Sequence, residues 1–562
     1  MDMKSIKQWI SLLLVSVFLL GALAGCNSSD DGSNQPSSGQ SGISQEESAE
    51  KSTPEEVSDP GGDVTSFNIA TVRYTDTWPI DFLKEGFMKE IEEKHGLDLN
   101  WQVYYSSDWS EQKSLLLASG DLPDAFMGSI TLNASDVSQN KSFFVDLTDL
   151  IGDNMPNLTA AFEDEPQLKA IATDREGKIF SLPKKLPKRP EVCGTVAYIN
   201  QEWLDNLGLD TPTTYLELEA VLEAFIREDA DGDGDPNNEI GLTGSAGDYV
   251  LSNDLRNILR PFATMVSREN NYMGIDGNGT PVFMPVQENY KEAVKWMRGL
   301  YEKGIIDPEY FTQESTMATA KRKTEGGSQV GLVYGWTADA EVSTNVGQFA
   351  LLEEVAGPDG NHYVENGSNT LDISDREFMI TTNCSDPAKL LQWADEFYTD
   401  LSSLQTFYGS IPQQVADNGD GTYSVLKPSD GTSLDTSAWS NSLRDFGPKY
   451  MSPSFYDKIS LPEDQGDGIK LADDIVNAKY VTTDKNIGFP LVQYTEDELG
   501  QIATLGIDIN KYCEVQYAHW VVNGGIEEEW DAYLAQLETM NLPALVGIYE
   551  DAYEYYLQSM ES

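Results

Sequence analysis

The run Asp229-Ala230-Asp231-Gly232-Asp233-Gly234-Asp235-Pro236-Asn237-Asn238-Glu239 holds the residues of this chain whose spacing bears most directly on chemistry. Carboxylates stand at positions 1, 3 and 5 and a glycine at 6, a pattern in which a tight loop turns alternate oxygens toward one hard cation. Ca²⁺ takes six to eight oxygens at about 2.3–2.6 Å, and Asp229, Asp231, Asp233, Asp235 and Glu239 are the expected ligands. Glu239 falls at position 11 where an EF-hand has its glutamate at 12, so the loop departs from that consensus. The alternative is a solvated acidic turn, but aspartates this close repel one another unless a cation neutralises them. The ion is expected to brace the fold and to take no part in catalysis.

Other reactive arrangements are missing from the sequence. The three histidines, His95, His362 and His519, show no two-His metal spacing and no neighbouring nucleophile signature, and there is no phosphate loop, dinucleotide fingerprint or Gly-x-Ser-x-Gly. Acidic residues are too abundant for spacing to single out a glycosidase pair, so no catalytic residue is assigned. The net charge of -56 excludes nucleic acid as a partner, since phosphate binding depends on Lys and Arg, and it disfavours polyanionic ligands. The main basic run, Lys184, Lys185, Lys188 and Arg189, reads as a solvated loop, with contact to an acidic ligand as the alternative. Cys193, Cys384 and Cys513 are far apart and odd in number, which points to free thiols.

Lys4 and Lys7 precede an almost uninterrupted apolar stretch from Ile10 to Leu23, the layout of a secretion signal. Leu23-Ala24-Gly25-Cys26 then matches the lipobox of bacterial lipoproteins, in which the cysteine is lipidated and becomes the first mature residue. Two or more acyl chains, at about 0.8 kcal/mol per buried CH₂, hold a protein on a membrane stably. The expectation is an anchor at the extracellular face of the cell membrane through Cys26 alone, because no later stretch approaches the ~20 apolar residues of a spanning helix. The following 39 residues, Asn27 to Thr65, are mostly Ser, Asp, Gly, Glu, Gln and Pro. Such a composition does not offset its ordering entropy, and as a coil it would span about 35 Å, a tether for whatever folds beyond it.

The remaining length is too great for one core and predicts two or more domains or lobes. Phe67–Val72 and Leu97–Tyr105 read as strands flanking a helix over Leu83–His95. Helical periodicity recurs at Trp109–Leu117, Leu216–Ile226, Tyr290–Glu302, Pro387–Tyr398 and Trp530–Met540, with a strand at Val330–Tyr334. This alternation predicts an α/β architecture with largely parallel sheets, whose ligand sites lie at strand ends or between domains.

Several segments carry a resemblance. Leu117-Ala118-Ser119-Gly120-Asp121-Leu122-Pro123-Asp124, Phe144 to Ile151, Gly177-Lys178-Ile179-Phe180-Ser181-Leu182-Pro183, Tyr198 to Leu204 with Leu207-Gly208-Leu209 and Pro212-Thr213-Thr214, and Leu300 to Pro308 occur in this order. Together they resemble family 1 extracellular solute-binding proteins, in particular large lipoproteins of the LipO type. Tyr408-Gly409-Ser410-Ile411-Pro412 departs from the family's pattern. The resemblance implies a two-lobed periplasmic-binding-protein-like fold with an interlobe ligand cleft and hinge crossings near Pro190–Ala197, Gly326–Val330 and Phe378–Asn383. The expected division is residues 1–25 signal peptide, 26–65 lipidated Cys and tether, 66–190 with 328–378 as the N-terminal lobe, and 195–327 with 383–562 as the C-terminal lobe.

It further implies a monomer that captures an oligosaccharide and delivers it to the permease subunits of an ABC importer, without chemistry on the sugar. Similar Asp-rich loops resemble the family's calcium sites. A peptide- or other solute-binding lipoprotein and a surface glycan-processing enzyme are the alternatives. Sugar rings present apolar C–H faces and hydroxyl rims, so aromatics in polar, loop-like surroundings are the expected platforms, with polar side chains at the rims. Tyr74, Trp78, Trp109, Trp336 and Trp439 are selected on that ground, with Arg444 beside Trp439 and Asp124 at the end of the family-like turn. Trp296, Trp393 and Trp530 lie on periodic helices and are assigned to the core.

Overall fold

The computed structural model describes residues 64–186, 195–246, 254–264, 270–364, 373–480 and 487–561; the signal segment, Cys26 and the tether lie outside them. Strand Thr65–Arg73 buries Phe67 and Ile69 in one core and Ala70 and Val72 in another, so both faces of its sheet are covered. Strands buried on two faces lose strict alternation and pair in parallel, and this strand is parallel to both its neighbours, Leu97–Tyr105 and Ala125–Met127. The sheet continues through Ile373–Ile380, Leu182–Lys185 and Lys449–Tyr450, giving six strands in all. A second sheet of four strands runs Phe349–Leu352, Val196–Asn200, Val330–Gly335, Ile240–Leu242. At Gly331 a Cβ would lie 2.4 Å from the Phe225 ring, which is why the helix Tyr215–Phe225 packs so closely there. The fold is thus two α/β lobes.

The lobe division differs from the expected one. Val330–Gly335 and Phe349–Leu352 pair with Val196–Asn200 in the second sheet, so within the expected first-lobe segment 328–378 these two strands are corrected to the second lobe, while 373–378 stays in the first. Residues from Pro387 to Tyr450 belong largely to the first lobe, where Trp393 and Phe397 pack with Phe67 and Phe378. The chain therefore passes between lobes from Lys185 to Val196, from Leu352 to Ile373, and from Ser460 to Ile487, which pairs with Ile275. Helix Ser315–Arg322 and strand Val330–Gly335 pack together in the second lobe, so the expected crossing at Gly326–Val330 does not occur. Neither does the one expected at Phe378–Asn383, where Phe378, Cys384 and Trp393 share the first lobe's core. The physical reason is pairing. A strand's lobe is decided by its hydrogen-bonded neighbours, which for Val330–Gly335 lie 90 residues or more away in sequence.

The crossings leave both sheets from matching ends. Lys185 pairs with Ile373, and Met127 with Phe378, so the carboxyl ends of Thr65–Arg73 and Ala125–Met127 open at the end where the chain departs for the second lobe. In the second sheet Val196 pairs with Gly335, which brings Trp336 to the corresponding end. The predicted helix Leu83–His95 is broken into a short turn Asp81–Lys84 and the helix Gly86–Lys94; Gly86 has φ +51 with Ser410 packed where a side chain would stand.

The second core is built round Trp520, Trp530 and Tyr533 on helices Glu496–Asn523 and Ile526–Thr539. Trp393 and Trp530 are buried as expected, and Trp296 is half-buried, donating from Nε1 to Glu219 at 2.6 Å. Cys384 and Cys513 carry free buried thiols, which burial pushes up to about 11 and about 12. Among the described residues no helix is long and apolar enough to cross a membrane.

Candidate functional site

At the carboxyl end of Thr65–Arg73 the chain leaves the sheet through Tyr74 and Trp78, and helix Leu434–Asn441 brings Trp439 beneath them. Trp78 stacks on Trp439 with ring centres 4.9 Å apart and planes 12° from parallel. Tyr74 meets Trp439 edge-on at 5.4 Å and Phe446 at 5.3 Å. Trp439 is only 5% exposed, Trp78 is half-buried and Tyr74 is 44% exposed, so Trp439 backs a wall whose open faces belong to Tyr74 and Trp78. Arg73 lies behind the wall, its guanidinium over the Trp439 ring at 5.3 Å and donating to the carbonyls of Trp439 and Ser442. Burial pushes it down to about 10.

Helix Asp467–Asn477 joins this wall to the second lobe. At its start Asp467 pairs with Arg444 at 2.9 Å, both buried. Further along, Lys470 lies 5.0 Å above the Trp336 ring and Asp473 accepts from the Tyr198 hydroxyl at 2.7 Å. Half-buried Trp336 thus packs against the same helix whose first residue pairs with Arg444.

Three selected residues have structural surroundings. Trp109 is 5% exposed and turns back onto the sheet, donating to Thr131 O at 2.7 Å and packing on Phe126. Asp124 sits at the amino end of its strand and accepts from Asn68 N at 2.7 Å, which pins the edge of the sheet remote from the wall. Arg444 is held by Asp467 and Asp435, with Phe407 beneath its guanidinium at 4.0 Å. Within the basic run, Lys184 differs from its reading as a solvated loop, being fully buried and 3.1 Å from Glu377, while Lys188 and Arg189 lie outside the described residues.

A separate cavity of about 590 Å³ lies between the lobes, within the usual range for small-molecule sites. Lys141, Phe180 and Arg376 line it from the first lobe, and Asn271, Gln493 and Tyr549 from the second. Arg175 closes one side by holding Glu498 through contacts of 2.6 and 2.7 Å. None of the aromatics selected from sequence lines it. Its residues are scattered from Asn133 to Tyr549, and no spacing within one segment could have assembled them.

In the acidic loop, Asp229, Asp231 and Asp233 bring carboxylate oxygens within 4.8 Å of one another. Gly232 and Gly234 take φ of +75 and +95, the left-handed conformations such a turn requires. Asp235 is engaged with Asn237 instead, through its backbone N–H and side-chain amide. Glu239 is buried, with Oε1 accepting from Ala230 N at 2.9 Å and Oε2 lacking any partner; burial, then the Asp231 charge, raises its pKa. An orphaned buried oxygen beside three converging carboxylates fits a cation site.

A family model for bacterial extracellular solute-binding proteins matches residues 77–400. The chain belongs to that family. This solute-binding protein is 30% identical over 494 residues to the fructooligosaccharide ABC transporter substrate-binding protein FusA of Streptococcus pneumoniae serotype 4, covering 85% of this chain and 88% of FusA. It is 23% identical to lipoprotein LipO of Bacillus subtilis, over 60% of this chain and 63% of LipO. Its fold superposes on FusA in complex with kestose with a TM-score of 0.75 at 27% identity, covering 88% of this chain and all of that one. A FusA EF-hand mutant in complex with fructo-nystose gives the same TM-score at 26% identity, covering 88% of this chain and 100% of that one. An HMO binding, ABC-transporter associated solute-binding protein from Bifidobacterium longum infantis ATCC 15697 shares the fold, with TM-score 0.76 at 23% identity and coverage of 88% and 99%.

The buried Arg444–Asp467 pair should carry fold stability. Arg444→Ala strands a buried carboxylate and is expected to cost about 3–5 kcal/mol, read as a lowered urea midpoint. Lys427→Ala breaks the exposed pair with Asp464 and should stay within about 0.5 kcal/mol of the parent.

Proposed function

We propose that this solute-binding protein captures an oligosaccharide between its lobes and delivers it, unaltered, to the permease subunits of an ABC importer. The observation that carries this reading is the wall of Tyr74 and Trp78 backed by Trp439. Parallel-stacked indoles at strand ends leave a flat apolar face open, as the C–H face of a pyranose or furanose needs. The likeness to FusA, which its name assigns to fructooligosaccharides, supports the ligand class. The net charge of -56 favours an uncharged sugar over a polyanionic one. Trp336 would close on the ligand from the second lobe, and the protein would act as a monomer held at the extracellular face through lipidated Cys26.

The Asp229–Glu239 loop is the proposed Ca²⁺ site, with Asp229, Asp231, Asp233 and Glu239 as ligands from the chain. Asp235 is placed in support through Asn237. The loop follows the helix Tyr215–Phe225 and precedes strand Ile240–Leu242, so an ion there would clamp a helix end to the second sheet. A bound cation would also supply the charge that lets buried Glu239 ionise.

Calorimetric titration with kestose should give one-to-one binding without cleavage products, and Trp78→Ala should weaken it about tenfold, or about 1.4 kcal/mol. Turnover of the sugar would replace capture with catalysis. Full affinity in Trp78→Ala with loss in Gln493→Ala would move the ligand to the 590 Å³ cavity.

Chelation should lower the melting temperature, since an ion bound only to the folded state adds about 2.7 kcal/mol at a hundredfold excess over Kd. Asp231→Ala with Asp233→Ala should abolish that sensitivity, and an EDTA-insensitive melt without bound calcium would reduce the loop to an acidic turn. Cys26→Ser should release the protein from the membrane fraction with sugar affinity unchanged; continued retention would contradict lipidation.

A further inference from the structure

Beneath the aromatic wall, the first sheet encloses three ionisable side chains that sugar capture does not account for. Lys184 and Glu377 are fully buried and Lys449 is 1% exposed. Glu377 Oε2 accepts from Ser129 N at 3.1 Å and Gly447 N at 2.8 Å, so one carboxylate oxygen ties together two loops at the cleft end of the sheet. Its other oxygen lies 3.1 Å from Lys184 Nζ. Lys449 Nζ donates to the carbonyls of Phe446 at 2.7 Å and Gly447 at 3.0 Å, while Lys184 Nζ donates to that of Asp445. Apart from the Lys184–Glu377 pair, which joins two strands, each of these contacts ends on residues 445–447 or on the loop they pack against. Phe446 in turn meets Tyr74 at 5.3 Å and Trp439 at 5.4 Å. The packing leaves no slack, because a Cβ added at Gly128 would lie 3.2 Å from Phe446 Cβ.

We propose that Lys184, Glu377 and Lys449 form a buried positioning network that seats Phe446 under Tyr74 and Trp439, and that the protonation of Lys449 sets the geometry of the sugar-stacking wall. The charges around Lys449 are Lys184 from strand Leu182–Lys185, Glu377 from strand Ile373–Ile380, and Arg444 and Asp445 from its own loop. Tyr398 hydrogen-bonds to Pro183 O, and Tyr408, from helix Asp400–Tyr408, lies against Arg444; Asp400 at the start of that helix is engaged by Ser452. Burial and the Lys184 charge push Lys449 down to about 7. A neutral amine still supplies the two N–H groups that Phe446 and Gly447 use. A proton taken up below pH 7 puts a second cation next to Lys184, whose ion-pair partner is Glu377, and we infer that the 445–447 loop shifts to relieve the repulsion. The linkage has a definite sign. A lysine whose folded pKa lies below its unfolded value makes the unfolded state bind more protons between about 7 and the ordinary lysine range, so this group's contribution to stability rises with pH across that window.

The affinity part of the inference rests on the proposed sugar capture; the geometry part does not, and one titration separates them. Tryptophan fluorescence of the unliganded full-length protein, taken as the difference between wild type and Trp78→Phe, should show a single transition near pH 7. Lys449→Met should lack it. Kestose affinity should fall about three- to tenfold from pH 8 to pH 6 in wild type and stay flat in Lys449→Met. A wild-type wall signal with no transition between pH 6 and 8 overturns the network whether or not Lys449→Met folds. A transition without any kestose binding upholds the network and rejects the sugar reading. A transition of equal size in Lys449→Met assigns the titration to another group and overturns the role of Lys449.

Discussion

The organising constraint on this molecule is that the first lobe's sheet is buried on both faces. Phe67 and Ile69 are covered on one side, Ala70 and Val72 on the other, so only the strand ends are left to meet water and ligand. The chain must also leave that sheet for the second lobe from the same end, at Lys185 and Ile373. Hinge and binding surface are therefore forced to be neighbours. The second sheet obeys the same rule with Val196 and Gly335 at its matching end. A solute held between two such ends touches both lobes at once, and its binding energy can be spent on closing them.

Strand ends buried this deeply are costly for ionisable groups, and the first lobe handles them in three ways. Arg444 is paired with Asp467 and stacked on Phe407, so its charge stays compensated. Arg73 is matched with backbone carbonyls and aromatic faces, and burial pushes it down to about 10. Lys449 also meets carbonyls, next to another lysine. Removing a partner from any such group is far more damaging than breaking a surface pair, because an uncompensated charge remains in a medium that solvates it poorly. The polar skeleton under the wall packs directly against the Tyr74, Phe446 and Trp439 rings.

The surface is governed by a different balance. A net charge of -56 keeps the protein apart from other anions and concentrates repulsion wherever acids cluster. In the Asp229–Glu239 loop that repulsion is organised, with three carboxylates converging and two left-handed glycines permitting the turn. The loop is anchored on buried Ala230 and belongs to the second lobe's core, far along the chain from the aromatic wall.

Sequence by itself determined the local and periodic features. Helix Tyr215–Phe225 has its Thr214–Glu217 capping box, the acidic loop has its glycines, Trp393 and Trp530 have core positions, and the family-like motifs occur in order; each depends on neighbours within one or two turns of chain. Tertiary structure decided which lobe each strand joined, because Val330–Gly335 reads as the same apolar strand whichever sheet it enters. It also decided the fate of polar residues. Lys184 reads as part of a basic surface run, yet strand alternation turns it inward toward Glu377, which is 193 positions away. Trp109 reads like Trp78, but its indole found the Thr131 carbonyl on the sheet face while Trp78 found Trp439 at the strand end. Aromatic and charged side chains have energies set by what surrounds them, and those surroundings are supplied by distant segments. Periodicity can announce that a residue will be in a helix or strand; only the folded chain determines whether its ring or charge faces water, a partner or another ring.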